Sequence, residues 1–395
     1  MEDRPAAAED VTEKDSSVND PFLEMALVQL QKRLSRGEIP IPSDEATPDE
    51  LARLVLDEGL PGVAKEFADD MIRRRRATVR RDRKWEKGFR RRLQNTWGEG
   101  LDRLWLLLGL VREAGEQVNR EDRSAAIASQ DFVWDVLVRL HGRACRTGYE
   151  ILTLLDAGLA SAAHARWRSL HEVAAVAFFV KEHGPETAER YLLHGRATAF
   201  RAAVENNTFA PRLGYDPIPE TEIEALRSQR DGLRARFGPC FDQDNGWALV
   251  ALGISCAPDH ARRPACRASF AQIERAARLD HWRPFYRMAS HPTHPTARSL
   301  EWTLGAPENQ MLVGASDGGL ADPGQDLAVS LCQVAVALLT LRPTIGRLTV
   351  LQGLRNIADD AMDELMKSND LVERRASAED RLWRWQDALL RRRPR

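Results

Sequence analysis

Apolar positions along the chain recur at the three- and four-residue spacing of a single helix face, and no segment of convincing length alternates with the period of a strand. Phe22, Met25, Leu27 and Leu30 mark a short amphipathic helix from Pro21 to about Arg36. Thr47-Pro48-Asp49-Glu50 predicts a second start, with Thr47 as N-cap, Pro48 at the first helical position and Glu50 closing a capping box. A highly charged helical pattern then runs from about Pro61 to Val118. Phe132, Val133, Val136, Leu137 and Leu140 open a helix that meets its stop at Gly158. The next helix ends at Gly184, and Pro185 starts another. Loops are predicted at about 207–219 and 238–247, with a helix over 220–237 between them. Helical periodicity returns over 267–290 and is stopped by Pro292 and Pro295. A Gly- and Pro-rich segment at 303–325 precedes an apolar helix at 326–342, a helix around 344–369 and a basic, Trp-containing helix at 377–393. The predicted fold class is therefore all-α. A multi-helix core bundle occupies about 125–345, an N-terminal helical arm 21–120, a C-terminal helical pair 346–395 and a disordered tail 1–20.

Composition narrows the class. With 43% hydrophobic and 29% charged residues, the chain of 395 is globular rather than disordered. Its formal net charge of −2 predicts no global attraction to nucleic acid or membrane. No apolar stretch reaches the roughly 20 residues that span a bilayer, and the acidic start MEDRPAAAED lacks the features of a signal peptide. The five cysteines are sparse, so no disulfide framework and a reducing, cytoplasmic setting are expected. Cys240, Cys256, His260 and Cys266 match no standard zinc spacing. No phosphate-binding Gly loop, nucleophile elbow or His-Glu-x-x-His pair occurs, so neither metal nor cofactor is expected.

Three groups of residues carry candidate chemistry. His164, Arg168 and Glu172 lie at i, i+4 and i+8 on a helix whose continuation, Val173–Val180, is apolar all round. Charged groups in such a helix need partners, and they serve either as an ion pair clamping helices together or as cleft residues. The segment His281–His294 gathers three histidines besides Arg283, Arg287, Tyr286 and Ser290. Histidine exchanges a proton near neutral pH and arginine holds phosphate charge, a combination suited to phosphate-ester chemistry. Residues 73–92 hold twelve Arg or Lys against Asp82 and Glu86, with Trp85 and Phe89 interleaved. This pattern fits a nucleic-acid backbone, a docking face for an acidic protein, or simply a solvated helix.

The run Gly142-Arg143-Ala144, Gly148-Tyr149-Glu150-Ile151, Leu155-Asp156-Ala157-Gly158, Ala163 and Arg168-Ser169-Leu170-His171-Glu172 resembles a bacterial family known only as domain of unknown function 5677. Tyr286–His294 and Gly314–Gly324 resemble its later parts, so the likeness covers about 140–345. More distantly, an Arg-x-x-x-Glu helix followed by a His-bearing segment is similar to HEPN-type helical bundles. That likeness implies a metal-independent ribonuclease of stress or phage defence, acting at a homodimer interface through Arg, four to six residues, then His. Arg287 and His294 have that spacing. The resemblance assigns His294 or His291 to take the ribose 2′-hydroxyl proton, Arg287 and Arg168 to stabilise phosphate charge, and Glu172 to orient Arg168. Arg73, Arg74, Arg75, Arg76, Arg80, Arg81, Lys84 and Lys87 would hold the RNA backbone. The competing expectation is a non-enzymatic scaffold, with Arg168–Glu172 as a clamp and the basic helix on an acidic protein. A third is a small-molecule-binding bundle, which leaves little trace in sequence.

Overall fold

The computed structural model describes residues 21–39, 46–256, 267–293, 304–305 and 312–391, with side chains over 22–378 among them. The expected tail at 1–20 lies outside these residues, and so does His294. The chain divides into two units, Met1–Gly88 and Phe89–Arg395.

The first unit contains α1 (Pro21–Ser35), α2 (Pro48–Leu54), a π-helical turn (Val55–Gly59) and the first part of α3 (Leu60–Ala128). The capping box at α2 forms as its sequence demands. The Thr47 hydroxyl accepts from the Glu50 N–H, and the Thr47 N–H donates to the Glu50 carboxylate at 2.9 Å. Helix α1 lies close against the π turn, where a Cβ on Gly59 would stand 2.7 Å from the Ala26 carbonyl oxygen. Arg33 fastens the pair by donating to the Glu58 carbonyl at 3.1 Å. Beyond this contact, every residue from Met71 to Lys87 is exposed.

The second unit holds the core. In α3, Phe89, Leu93, Trp97, Leu101, Leu104, Leu108, Val111 and Val118 follow the helical repeat, and all are buried. Helix α4 (Phe132–Asp156) is capped by Asp131, whose carboxylate accepts from the Trp134 N–H at 3.0 Å. Its small residues Ala144 and Gly148 are buried, and a Cβ on Gly148 would lie 3.2 Å from Leu108 of α3. Helix α5 (Ala160–Leu213) bends at Gly184, the expected break, where φ is 78° and ψ −163°. Helices α6 (Glu220–Phe237), α9 (Ala321–Leu339) and α10 (Ile345–Arg391) complete the bundle. Short helices α7 (Phe270–Ala276) and α8 (Arg283–Met288) and 3-10 turns at Asp280–Trp282 and His291–Thr293 cover one flank of α5. No strand occurs among the described residues. None of their helices is long and apolar enough to cross a membrane.

Several elements differ from expectation. Helix α5 extends into the first half of the loop predicted at about 207–219 and ends at Leu213, and Asn207 holds the remaining turn with bonds to the Ile218 N–H and carbonyl at 2.8 and 2.9 Å. The periodicity at 267–290 breaks into α7, a 3-10 turn and α8. Helix α9 starts at Ala321, its Pro323 standing in the first turn, where a missing N–H costs nothing. The predicted C-terminal pair is one helix, α10, because no proline and no strong cap interrupts 354–391. Cys240 and Cys256 form a disulfide, with Cα atoms 6.4 Å apart, against the expectation of none. The compact turns over 238–254 bring together two cysteines whose spacing of sixteen gave no sign of pairing.

Gly158 joins α4 to α5 with φ at +72°. Its carbonyl accepts from the Ser316 N–H at 2.9 Å. A Cβ there would lie 2.6 Å from the Ser316 carbonyl oxygen and 2.7 Å from the Phe89 ring. Gly158→Ala should therefore add about 1–2 kcal/mol of left-handed strain to about 1–3 kcal/mol of overpacking. Chemical denaturation should read the sum as a lowered midpoint, and an unchanged midpoint would show that the turn relaxes freely.

Candidate functional site

The first half of α5 is apolar on most sides and carries the polar stripe among buried residues. At its centre is Trp167, fully buried, whose indole N–H donates to the Ser330 hydroxyl of α9 at 2.9 Å. His164 stacks on one side of this indole, with ring centroids 5.6 Å apart, and His171 lies tilted against it at 5.4 Å. Both histidines are buried opposite a carboxylate. His164 Nε2 is 3.2 Å from Asp326 Oδ2 of α9. His171 Nε2 is 2.7 Å from Glu274 Oε1 of α7, and the Arg283 guanidinium of α8 engages the other oxygen of Glu274. Burial raises the Asp326 pKa, and the neighbouring His164 only partly offsets this. Burial lowers the His171 pKa, opposed by its hydrogen bond to Glu274. Helices α9 and α7 are thus tied to α5 through groups that do not reach water, and α8 joins them through the partly exposed Arg283.

A second, more open layer lies above these pairs. Arg168 Nη2 donates to the Tyr286 hydroxyl at 2.8 Å, and that hydroxyl donates to Glu172 Oε1 at 2.6 Å. The direct Arg168–Glu172 approach is only 4.0 Å, so the phenol stands between the two charges. The guanidinium also rides over the Tyr286 ring, 4.6 Å from its centroid. Its Nη1 makes a longer bond of 3.3 Å to the Thr293 hydroxyl, and its Nε is buried without a partner. Burial, reinforced by the bond to Glu172, raises the Tyr286 pKa, so the phenol keeps its proton at neutral pH. Side-chain exposure is 22% for Arg168 and 44% for Glu172, so the pair is neither sealed nor free.

The 286–293 segment is held by its own turns. Ser290 Oγ donates to the Tyr286 carbonyl at 2.8 Å, and Thr293 Oγ1 to the Ser290 carbonyl at 2.6 Å. Of the candidates read from sequence, Arg168 and Glu172 meet this segment through Tyr286 and Thr293. Arg287 is exposed, and its side chain bonds to none of them. His291 is half-buried on the 3-10 turn. His294 lies outside the described residues, so its relation to Arg168 is not part of this geometry. Arg73, Arg74, Arg75, Arg76, Arg80, Arg81, Lys84 and Lys87 are all exposed. Among them Arg73 and Arg74 pair with Asp70, and Arg81 pairs with its neighbour Asp82.

Sequence reasoning missed Glu274, Asp326 and Trp167, and it treated Tyr286 only as one member of a polar run. Asp326 had a readable signal as a lone acid at the start of an apolar stretch. Glu274 had none, since it sits in a seven-residue helix among ordinary polar neighbours. No group of three or more metal-binding side chains occurs among the described residues.

No curated protein and no solved structure matches the chain. Residues 135–311 match a family model described as a family of unknown function, DUF5677. The match ends before the Gly314–Gly324 run, which had also resembled that family. It takes in α4 from Asp135 onward, the stripe on α5, Glu274 and the Tyr286–Thr293 segment. Over residues 135–311, therefore, the chain is similar to the DUF5677 family.

Proposed function

We propose that the protein binds RNA through the basic stretch of α3 and cleaves it, without a metal, at the cluster around Arg168. The observation that carries this reading is the meeting of Arg168 and Glu172 with Tyr286 and Thr293, 118 and 125 residues from Arg168 in sequence. Arg168 retains donor capacity, because Nη1 holds only the long contact to Thr293 and Nε has no partner. A phosphate oxygen in place of Thr293 would gain a charge-assisted bond. Glu172, through the Tyr286 hydroxyl, keeps the guanidinium in its orientation. In the reaction His291 or His294 takes the ribose 2′-hydroxyl proton, and the 2′-oxygen attacks phosphorus. The 5′-oxygen then leaves with the proton that the histidine took, giving a 2′,3′-cyclic phosphate and a free 5′-hydroxyl. The HEPN likeness of Arg287 and His294 points the same way, towards stress or phage defence.

One observation favours the scaffold reading. The Tyr286 hydroxyl satisfies Arg168 and Glu172 together, as an interhelical fastening would require. A ribonuclease assay in EDTA separates the two readings. Wild type should cleave RNA, and Arg168→Ala and loss of the working histidine (His291→Ala or His294→Ala) should each lower the rate. Removing the histidine that acts as base should cost about 10²–10⁴-fold. Absence of cleavage by wild type, or full rates in all three variants, would leave the scaffold reading in possession of the cluster.

A further inference from the structure

A cavity of about 480 Å³ opens between α3 and α4, on residues that the RNA reading does not use. That volume is within the range of small-ligand pockets. Its lining is mainly apolar, with Leu108, Val138 and the Tyr149 ring among its walls. Set into it is His141, only 4% exposed. His141 Nδ1 is 3.8 Å from the Cys145 Sγ, one helical turn away, and Nε2 is buried with no hydrogen-bond partner. Burial pushes His141 down to about 4, so the ring is neutral at pH 7. The Val111 carbonyl pulls weakly the other way, without meeting Nε2 in hydrogen-bond geometry.

The opposite helix is shaped to admit this ring. Gly115 is buried inside α3, where glycine costs about 1 kcal/mol relative to alanine. A Cβ at that position would overlap the His141 ring. A polar ring placed at a helix-weakening glycine, facing a cavity with one nitrogen unanswered, costs stability unless something bonds to it. The charged lining residues indicate what does. Arg112 is exposed and pairs with no carboxylate among the described residues, and Arg146 is held by Glu150 at 3.4 Å. Against these two guanidiniums the lining sets one acid, Glu116.

We propose that this cavity binds a small organic anion with an apolar, ring-sized body. Its anionic head lies between Arg112 and Arg146, its body packs on Leu108, Val138 and Tyr149, and a polar atom bonds to His141 Nε2. The site is independent of the Arg168 cluster, so its failure would leave the RNA reading untouched.

Among the described residues two thiols are free, and Cys145 lines the cavity while Cys332 does not, so the pair gives a site-resolved readout. In the full chain, 2-naphthoate should slow N-ethylmaleimide labelling of Cys145 saturably, and Cys332 should label at its usual rate. The neutral isostere 2-naphthamide should protect at least about tenfold less well, a difference of about 1.4 kcal/mol. Arg112→Gln with Arg146→Gln should bring naphthoate down to the level of the amide. His141→Phe, which keeps a ring but removes Nε2, should weaken both probes. No protection of Cys145, equal protection by acid and amide, or undiminished affinity in either variant would overturn the proposal.

Discussion

Glu274→Ala is expected to destabilise the second unit by about 3–5 kcal/mol, the usual loss when one member of a buried ion pair is removed. The Glu274 carboxylate is 1% exposed and serves two partners, His171 at 2.7 Å and the Arg283 guanidinium. Its removal leaves Arg283, 22% exposed, facing an apolar space without its counter-charge. It also frees α7 and α8 from α5, the two elements that set Tyr286 in place over Arg168. Glu274→Gln keeps the shape and one acceptor, and should lose only about 1–3 kcal/mol. Glu274→Met combined with Arg283→Met removes both charges together and should recover most of the loss, since apolar replacement of a whole buried pair is often neutral. Denaturant titration of the three variants tests the ordering. A Glu274→Ala protein within 1 kcal/mol of wild type would mean that water already solvates this triad. The same triad gives a pH dependence. The His171 pKa is lower in the fold than in the unfolded chain. Its contribution is therefore complete above the unfolded value of about 6.5 and declines as pH falls.

The parts of the fold legible in sequence are those set by local chemistry. The Thr47–Glu50 capping box, the Gly158 stop and the Gly184 break each depend on a few adjacent residues, and each appears where the sequence placed it. The stripe on α5 was legible too, because three polar residues on an apolar helix stand out by periodicity alone. Its partners were not. Glu274 lies 103 residues from His171 and Tyr286 lies 114 from Glu172, and such pairings follow from packing that no local pattern encodes. The direct Arg168–Glu172 pair, one of the two readings of the stripe, is a loose 4.0 Å approach that a shared phenol bridges. An i, i+4 spacing permits contact, but a third group that bonds both charges removes the need for it. The Cys240–Cys256 bond escaped for a related reason. The turns that bring the sulfurs together contain Gly238, Asn245 and Gly253 in left-handed or other positive-φ conformations, and only the assembled path shows that they close a loop.

Neutralising the basic stretch of α3 should abolish most RNA affinity. Met71–Lys87 is exposed on every side, so packing does not explain its composition. Seven arginines and two lysines against Asp82 and Glu86 leave +7 in seventeen residues. Like charges on one helix repel, and a polyanion relieves that repulsion while releasing its own counterions. If about five of these cations contact phosphate, the logarithm of affinity for single-stranded RNA should fall with the logarithm of salt at a slope of about −3 to −4. Replacing Arg73, Arg74, Arg75, Arg76, Arg80, Arg81, Lys84 and Lys87 by glutamine should flatten that slope towards zero. At moderate salt it should weaken binding by about 10²–10⁴-fold. Glutamine preserves helix propensity and removes the repulsion, so the loss would not come from unfolding of the helix. Trp85, 62% exposed within the same stretch, separates RNA from an acidic protein. Stacking on a base is worth about 1–3 kcal/mol, so Trp85→Ala should cost about tenfold or more on RNA. It should leave binding to polyglutamate unchanged, because that polyanion offers charge without bases. A protein that binds both polymers alike, with Trp85→Ala silent on each, has a helix built for acidic protein partners, and the scaffold reading would then account for both the helix and the Arg168 cluster.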